Sequence, residues 1–205
     1  MAAAGDSDHA VDEFDAVERA AHWFAEGRRL DMQALAEELG ISRTTLFRRV
    51  GGREALLARA VWAQTERSIA VAIKRWEREK PADALHTTGA LRHFNAIVAA
   101  SPGLRRLIDD EPALAVRVLM DPVGLVQPGT VAAIRDLLLW DIDEHGLETV
   151  IDPDALAYAL VRIGESFLYA DVIAARTPDV EKADRLQYAL IEGGRARYRL
   201  SGPES

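Results

Sequence analysis

The chain has 205 residues, contains no cysteine and carries a formal net charge of −8 at pH 7. The absence of cysteine excludes disulfides and thiolate metal sites, and the length suits one domain or a small domain beside a larger one. Nearly half of the residues are apolar and few are aromatic, a composition that favours packed helices over sheets.

The N-terminal segment has neither the basic region nor the apolar run of a secretory signal. No stretch approaches the ~20 apolar residues that span a bilayer. We therefore expect a cytoplasmic protein without a membrane partner. Residues 1–8 and residues 201–205 are predicted to be disordered tails.

Apolar residues recur with helical spacing along the chain, and the alternation typical of strands is absent. This pattern predicts an all-α fold, with a small three-helix head at 9–52 and a larger helical bundle at 53–200. The predicted helices are 9–26, 32–39, 43–49, 53–79, 83–100, 102–109, 112–119, 128–145, 153–175 and 178–198.

Residues 31–50 have the pattern of a helix-turn-helix. Asp31 and Ser42 are candidate N-caps for two short helices. Ala36 lies where two helices must cross closely, and Gly40 permits the positive φ of a tight turn. The remaining positions predicted to pack the two helices together are Leu35, Leu39, Ile41, Leu46 and Val50.

Positive charge is concentrated around this motif, although the chain as a whole is acidic. Residues 28–59 contain seven arginines and four acidic residues. One basic segment on an acidic body suits a protein that meets a polyanion through one small surface. Arg43 and Thr44 can reach base edges in the major groove, whereas Thr45, Arg48 and Arg49 are better placed for phosphates. The predicted DNA-binding residues are Ser42, Arg43, Thr44, Thr45, Phe47, Arg48, Arg49 and Arg53.

The segment 41–56, which reads ISRTTLFRRVGGREAL, resembles the DNA-binding signature of TetR-family transcriptional regulators. The segment ERAAHWFAEG at 18–27 and the pairs Leu35-Ala36 and Leu39-Gly40 resemble the first two helices of that family. Phe47 replaces a tyrosine that is usual in the signature, Arg49 replaces a histidine and Val50 replaces a phenylalanine. Gly51-Gly52 is expected to loosen the joint to the next helix.

Residues 161–186 are similar to the C-terminal region of TetR-family regulators of the quorum-signal-degradation type. This resemblance implies a small lactone or acyl-type effector. The resemblance to the wider family also implies a dimer formed by the last two helices of each chain.

The predicted helix at 153–175 is apolar on two faces, which indicates burial on two sides. One side can serve the core of the protomer and the other a second copy, since two-fold operators favour two-fold proteins. Both faces could instead be core within one chain. The predicted dimer-interface residues are Leu160, Gly164, Phe167, Leu186 and Leu190.

Polar residues interrupt these apolar faces at Arg162, Glu165 and Tyr169. A salt bridge within the chain would account for the charges, because buried charges are usually paired. Alternatively, Glu165 or Tyr169 orients a ligand in an apolar pocket. The candidate walls of that pocket are Trp62, Trp76, Phe94, Met120 and Trp140.

No metal site or cofactor is predicted. His86 and His93 fall on about one helical face, but no third ligand is spaced with them. The segment DIDEHG at 141–146 resembles the start of a calcium loop, yet Asp152 stands where a bidentate glutamate is needed. We interpret this segment as the end of a helix capped by Gly146.

Together these features predict a homodimeric, ligand-responsive transcriptional repressor that binds a double-stranded DNA operator and is released by a small, mostly apolar effector. One alternative is an all-helical enzyme with Glu165 as its base, although no nucleophile, phosphate loop or metal set accompanies that residue. Another alternative is a helical interaction protein whose head no longer binds DNA, as the changes at Phe47 and Val50 would suggest.

Overall fold

A computed structural model describes the backbone of residues 12–200 and the side chains of residues 12–193. These residues form eleven helices and no strand, so the fold is all-α. The two predicted tails lie outside the described residues. In chain order the helices are α1 (Glu13–Ala25), α2 (Met32–Glu38), α3 (Arg43–Val50), α4 (Arg53–Glu79), α5 (His86–Ala99), α6 (Pro102–Asp110), α7 (Pro112–Met120), α8 (Val126–His145), α9 (Pro153–Leu168), α10 (Ala170–Ala174) and α11 (Val180–Leu200).

Local capping explains most of these boundaries. The side chains of Ser101 and Asp152 accept hydrogen bonds from the first turns of α6 and α9, each with proline next in the chain. Gly146 ends α8 in the left-handed region at φ 60°, as expected for a cap. The last helix begins at Val180 and not at the predicted 178, because Asp179 accepts from Lys182 N at 2.9 Å.

The predicted single helix at 153–175 is also wrong. The chain leaves helical geometry at Tyr169, with φ −110° and ψ 24°, and a short α10 follows. The apolar pattern continues through this break, so periodicity alone did not reveal it. Helix α10 ends at Ala175, which has a positive φ of 51°.

Two hydrophobic clusters hold the protein together. The first includes the inner faces of α1, α2 and α3 and continues into the start of α4 and into α6 and α7. The predicted head therefore shares a core with the neighbouring part of the bundle. The second cluster joins α5, α8, α9 and α11 at the other end. Helix α4 connects the two ends over 27 residues, a length of about 40 Å.

Candidate DNA-binding surface and effector pocket

The helix-turn-helix predicted at 31–50 is present, and each capping element has a defined contact. The Asp31 carboxylate accepts from the backbone N–H groups of Gln33 and Ala34, both at 2.8 Å. Gly40 adopts φ 67°, and the next N–H bonds to Ala36 O at 3.0 Å. Ser42 Oγ then accepts from Thr45 N at 3.0 Å and caps α3. These bonds fix the angle between α2 and α3.

The outer face of α3 carries polar and basic side chains. Arg43, Thr44 and Arg48 are exposed, and Phe47 is 60% exposed. Within the described part of the chain, neither Arg43 nor Arg48 forms a hydrogen bond or an ion pair. The surface formed by these four residues, here called the α3 face, thus presents two cations that form no ion pair, although the Arg43 charge contributes to lowering the pKa of Asp31.

Three further predicted DNA-binding residues lie around the α3 face. Ser42 is exposed and its hydroxyl lies 2.9 Å from that of Thr45, which is half-buried. Arg49 is also half-buried, and its Nη1 atom is buried without a hydrogen-bond partner among the described residues.

At the joint between α3 and α4, Gly51 adopts φ 77° and its N–H bonds to Phe47 O at 2.8 Å. The joint to α4 is therefore a specified turn, not the loose link that the sequence suggested.

Arg53 does not have the environment predicted for it. The sequence placed an uncompensated cation at the start of α4, available for a phosphate. In the structure its guanidinium donates two hydrogen bonds to Glu111, at 2.7 and 2.6 Å, and a third to Leu30 O at 2.7 Å. The bonds from Arg53 hold the pKa of Glu111 below its ordinary value. Arg53 thus links the head to the α6–α7 corner, and its charge is compensated within the chain.

A pocket of about 410 Å³ lies in the body of the protein. It is bounded by α4, α5, α8 and α9 and reaches the end of α1 and the start of α6. Its apolar walls include Phe24, Leu91, Phe94, Leu104 and Leu168. The volume and the mixture of apolar walls with a few polar groups suit a small organic ligand.

Three of the predicted pocket residues line this space, namely Phe94, Glu165 and Tyr169. Trp62, Met120 and Trp140 do not, and neither does Trp76. Trp62 packs against Gly129, where an added Cβ would lie 2.3 Å from the indole ring. Trp140 stacks on His86 with ring centroids 3.9 Å apart, and Met120 packs on the first hydrophobic cluster. These side chains therefore pack elsewhere in the protein, and Trp140 remains 41% exposed.

Glu165 is the buried charged group of the pocket, whereas Arg75, which also lines it, is exposed. It accepts from Gln127 Nε2 at 2.9 and 3.2 Å and from Arg162 Nη1 at 2.6 Å. Burial raises the pKa of this carboxyl, while the bonds from Gln127 and Arg162 oppose that rise. Burial, with a further contribution from the Glu165 charge, also raises the pKa of the Tyr169 hydroxyl. Both predicted roles of Glu165 are therefore compatible with the geometry, because an ion-paired carboxylate also faces the cavity.

The hydrogen-bond donors of the pocket are mostly used within the protein. Asn95 Nδ2 donates to Asp184 and to Gln187, both at 2.7 Å. The hydroxyls of Thr65, Ser68 and Thr130 donate to carbonyls of their own helices, at 2.7–2.8 Å. Within the described chain, Asn95 Oδ1 and Gln127 Oε1 accept no hydrogen bond. The side chains of Gln64, Arg75 and Tyr169 also line the pocket and form no hydrogen bond within the described chain, so the polar lining offers free donors as well as free acceptors. Asn95 and Gln127 were not predicted, because their only signal was a polar side chain within an apolar helical pattern.

The pocket and the head share a wall. Phe24 and Ala25 of α1, together with Ser101, Pro102 and Leu104 at the start of α6, line the cavity. Arg106 of α6 also donates to Gly27 O at 3.0 Å, just beyond α1. A ligand in the pocket would therefore touch the helix that packs behind α3.

The predicted dimer-interface residues separate into two groups. Leu160 and Gly164 are buried inside the protomer, and an added Cβ on Gly164 would lie 3.1 Å from Gln187. These two predictions are wrong, because α9 turns that side towards α5 and α11. Leu186 and Leu190 of α11 are 44% and 39% exposed, and Phe167 is partly exposed. Tyr158 and Tyr188 are also exposed, at 53% and 58%.

Comparisons with known proteins agree with this geometry. The profile of the "Tetracyclin repressor-like, C-terminal domain" family matches residues 84–192, just over half of the chain. The structure is similar to that of the R. erythropolis transcriptional repressor QsdR of the TetR family, with a TM-score of 0.77 and 28% identity over 90% of this chain and 96% of that one.

Two more distant structures share the fold. One is the TetR-family repressor AlkX from Dietzia sp., implicated in n-alkane biodegradation, with a TM-score of 0.60 and 19% identity over 88% of this chain and 94% of that one. The other is a TetR-family regulator from Mesorhizobium loti, with a TM-score of 0.52 and 14% identity over 90% and 95%. A search of curated proteins gave no match.

The fold and its two surfaces define a helix-turn-helix transcriptional regulator with a ligand-binding body. The chain belongs to the TetR family, and its C-terminal region is similar to that of QsdR. Among the described residues, no helix is both long enough and apolar enough to cross a membrane.

Proposed function

We propose that this protein is a homodimeric repressor in the cytoplasm, which binds a two-fold operator and is released by a small effector. The observation that carries this proposal is the shared wall between the pocket and the head. Because Phe24 and Ala25 line the cavity and belong to the helix behind α3, the occupancy of the pocket can bias the position of the head.

The α3 face supplies the DNA contacts in this proposal. Arg43 and Thr44, at the start of α3, meet base edges in the major groove. Arg48, Thr45, Ser42 and the exposed part of Arg49 contact phosphates around them. Phe47 lacks the hydroxyl of the tyrosine that is usual in the family signature, so it offers the DNA an apolar contact only. Arg53 is left out of this set because Glu111 already holds its guanidinium.

Two copies pair through the exposed apolar faces of α9 and α11. Tyr158, Phe167, Leu186 and Leu190 lie on this surface, and a four-helix interface would bury them. Such a dimer presents two α3 faces to successive major grooves, about 34 Å apart. The effector binds more tightly to the state in which the two α3 faces are wrongly spaced for DNA than to the DNA-bound state. The coupling free energy between effector binding and DNA binding is about 1–3 kcal/mol.

The polar groups buried in the pocket wall restrict the end of the effector that lies near them. Asn95 Oδ1, Gln127 Oε1 and Glu165 favour a ligand that presents an N–H or O–H donor, and Glu165 disfavours a carboxylate. We therefore infer an acyl compound or lactone derivative with an amide or hydroxyl group at the end that lies near Glu165. Its apolar part packs against Phe94, Leu91 and Leu168.

The experiment that tests this proposal has two stages. Fluorescent DNA from upstream of the gene is titrated with the protein, with a scrambled duplex as control, and anisotropy is followed. Compounds of equal apolar length that end in an amide, a hydroxyl, a lactone or a carboxylate are then added to the complex. We expect selective binding and release by the amide or hydroxyl compounds. If a genome-wide selection of bound fragments recovers no DNA at all, the interaction-protein alternative replaces the repressor.

A further inference from the structure

A second polar cluster lies outside the pocket, at the far end of the bundle. It contains His86 at the start of α5, and Asp141 and His145 on the last turns of α8. Asp141 and His145 are four residues apart, so they lie on one face of α8. Glu77, near the end of α4, completes the cluster. Glu77 is 24 residues beyond the start of α4, or about 36 Å from the head.

The three side chains on α5 and α8 lie close together. One ligating atom from each of His86, Asp141 and His145 lies within 4.8 Å of the other two. His86 Nδ1 is 3.0 Å from Asp141 Oδ1, close to the ~3.3 Å that separates two ligands of a tetrahedral zinc ion. His145 Nε2 is buried and has no hydrogen-bond partner among the described residues. An unpaired polar atom in such a position is costly unless a ligand satisfies it.

The surroundings hold His86 in an orientation suited to metal binding. Its Nε2 atom lies 2.8 Å from Glu77 Oε1, and a proton on Nε2 leaves the lone pair of Nδ1 directed towards Asp141. A carboxylate behind a histidine is the usual partner of a metal-bound imidazole. Trp140 stacks on the ring at 3.9 Å and fixes its plane.

Asp141 is held equally firmly. It is fully buried, and it accepts from the backbone N–H groups of His86 and Thr87 at 2.6 and 2.8 Å and from Thr87 Oγ1 at 2.6 Å. These hydrogen bonds leave one lone pair of Asp141 Oδ1 unused, and that lone pair faces His86 Nδ1. With two lone pairs facing each other at 3.0 Å, either a proton or a cation must lie between them.

From this geometry we propose that His86, Asp141 and His145 bind a divalent transition-metal ion such as Zn²⁺. Two imidazoles and one carboxylate suit zinc and its neighbours, whereas calcium and magnesium prefer oxygen ligands. A water molecule takes the fourth position. The ion joins the start of α5 to the end of α8 and so clamps the end of the bundle opposite the DNA-binding head. His145 completes the site by a rotation of its side chain.

The test uses the full chain after treatment with a chelator. Zn²⁺ is titrated in competition with a chromophoric chelator, and Co²⁺ is added separately so that its visible ligand-field absorption reports the coordination. The variants are His145→Ala and His145→Gln, since His145 is half-exposed and its replacement leaves the Asp141 contacts in place. His93→Ala is the matched control, because His93 lies on α5 beside Glu79 and outside the cluster. Circular dichroism verifies the fold of each variant.

We expect one Zn²⁺ per chain in the wild type and in His93→Ala. Both His145 variants should bind Zn²⁺ at least about 100-fold more weakly, beyond the range for loss of an orienting residue alone, and should lose the tetrahedral Co²⁺ spectrum. If the wild type binds no Zn²⁺, a proton and not a metal ion lies between His86 and Asp141, and the proposal is overturned. Equal affinities of wild type and the folded His145 variants would also overturn it.

Discussion

The carbonyl oxygen of Phe24 lies 1.9 Å from the position that a Cβ atom on Gly103 would occupy. Helix α6 therefore packs directly on the backbone of α1, and only glycine permits this approach. Phe24 also lines the pocket. The same contact thus joins the head, the body and the cavity.

We predict that Gly103→Ala destabilises the protein by about 1–3 kcal/mol, as overpacking against rigid backbone typically does. Thermal or urea unfolding measures this change. Gly193→Ala is the control, because nothing lies within 4 Å of its added Cβ and alanine is the better helix former by about 0.5–1 kcal/mol. Equal effects of the two variants would contradict the close packing of α1 and α6.

The Arg53–Glu111 pair predicts a pH dependence of stability. The bonds from Arg53 lower the pKa of Glu111, so the pair stabilises the fold fully above the unfolded value of about 4.3. That stabilisation is lost as the pH falls through the lower pKa of the folded state. We expect Glu111→Gln to cost up to about 1 kcal/mol at pH 7 and much less in acid, as measured by unfolding across pH.

The control for this prediction is Arg117→Ala, which removes the more exposed pair between Arg117 and Glu54. It should have a smaller effect at pH 7, because solvent screens that pair. An Arg53→Ala variant that keeps its stability but loses DNA affinity would instead restore the original prediction of a phosphate contact.

Glu165 predicts the opposite pH dependence. Burial raises its pKa, so the folded state favours the protonated form. The favourable contribution is complete below the unfolded value of about 4.3 and is lost as the pH rises through the folded pKa. Glu165→Gln should flatten this decline and unfold at a higher temperature than the wild type at pH 7–8. A lower unfolding temperature at that pH would mean that Arg162 and Gln127 more than compensate the buried charge.

The exposed face of α11 predicts the oligomeric state. Leu186→Glu or Leu190→Glu should convert the proposed dimer to a monomer, because each chain would bring a charge into the apolar interface. Sedimentation or light scattering measures the mass. Val123→Glu is the control, since Val123 is 90% exposed outside the proposed interface. A dimer that persists in both α11 variants would place the interface elsewhere.

The local signals in the sequence were sufficient for the head. Asp31, Gly40 and Ser42 act on residues within a few positions, and the structure has each of them where their chemistry requires. The same holds for α4, whose predicted bounds are those observed. Capping and helical periodicity depend on residues that are close together in the chain, so they can be recognised in a single sequence.

The residues that line the pocket could not be predicted from such local signals. Trp62 and Trp140 have the size of wall residues, but their neighbours Gly129 and His86 come from other helices and determine where the rings lie. The contact of His86 with Asp141 spans 55 positions, and no spacing rule predicts it. Likewise, the burial of Leu160 depended on which face of α9 meets α11.

In the proposed complex the α3 face meets DNA, with Arg43 at base edges and Arg48 at phosphates. The most direct measurement is the salt dependence of operator affinity for the wild type, Arg43→Ala, Arg48→Ala and the control Arg78→Ala. Arg78 is exposed near the far end of α4. We predict that Arg48→Ala lowers the slope of log K against log salt by about 1, that Arg43→Ala weakens selective binding by about 1–3 kcal/mol, and that Arg78→Ala changes neither. Unchanged slopes and affinities in both α3 variants would contradict the account.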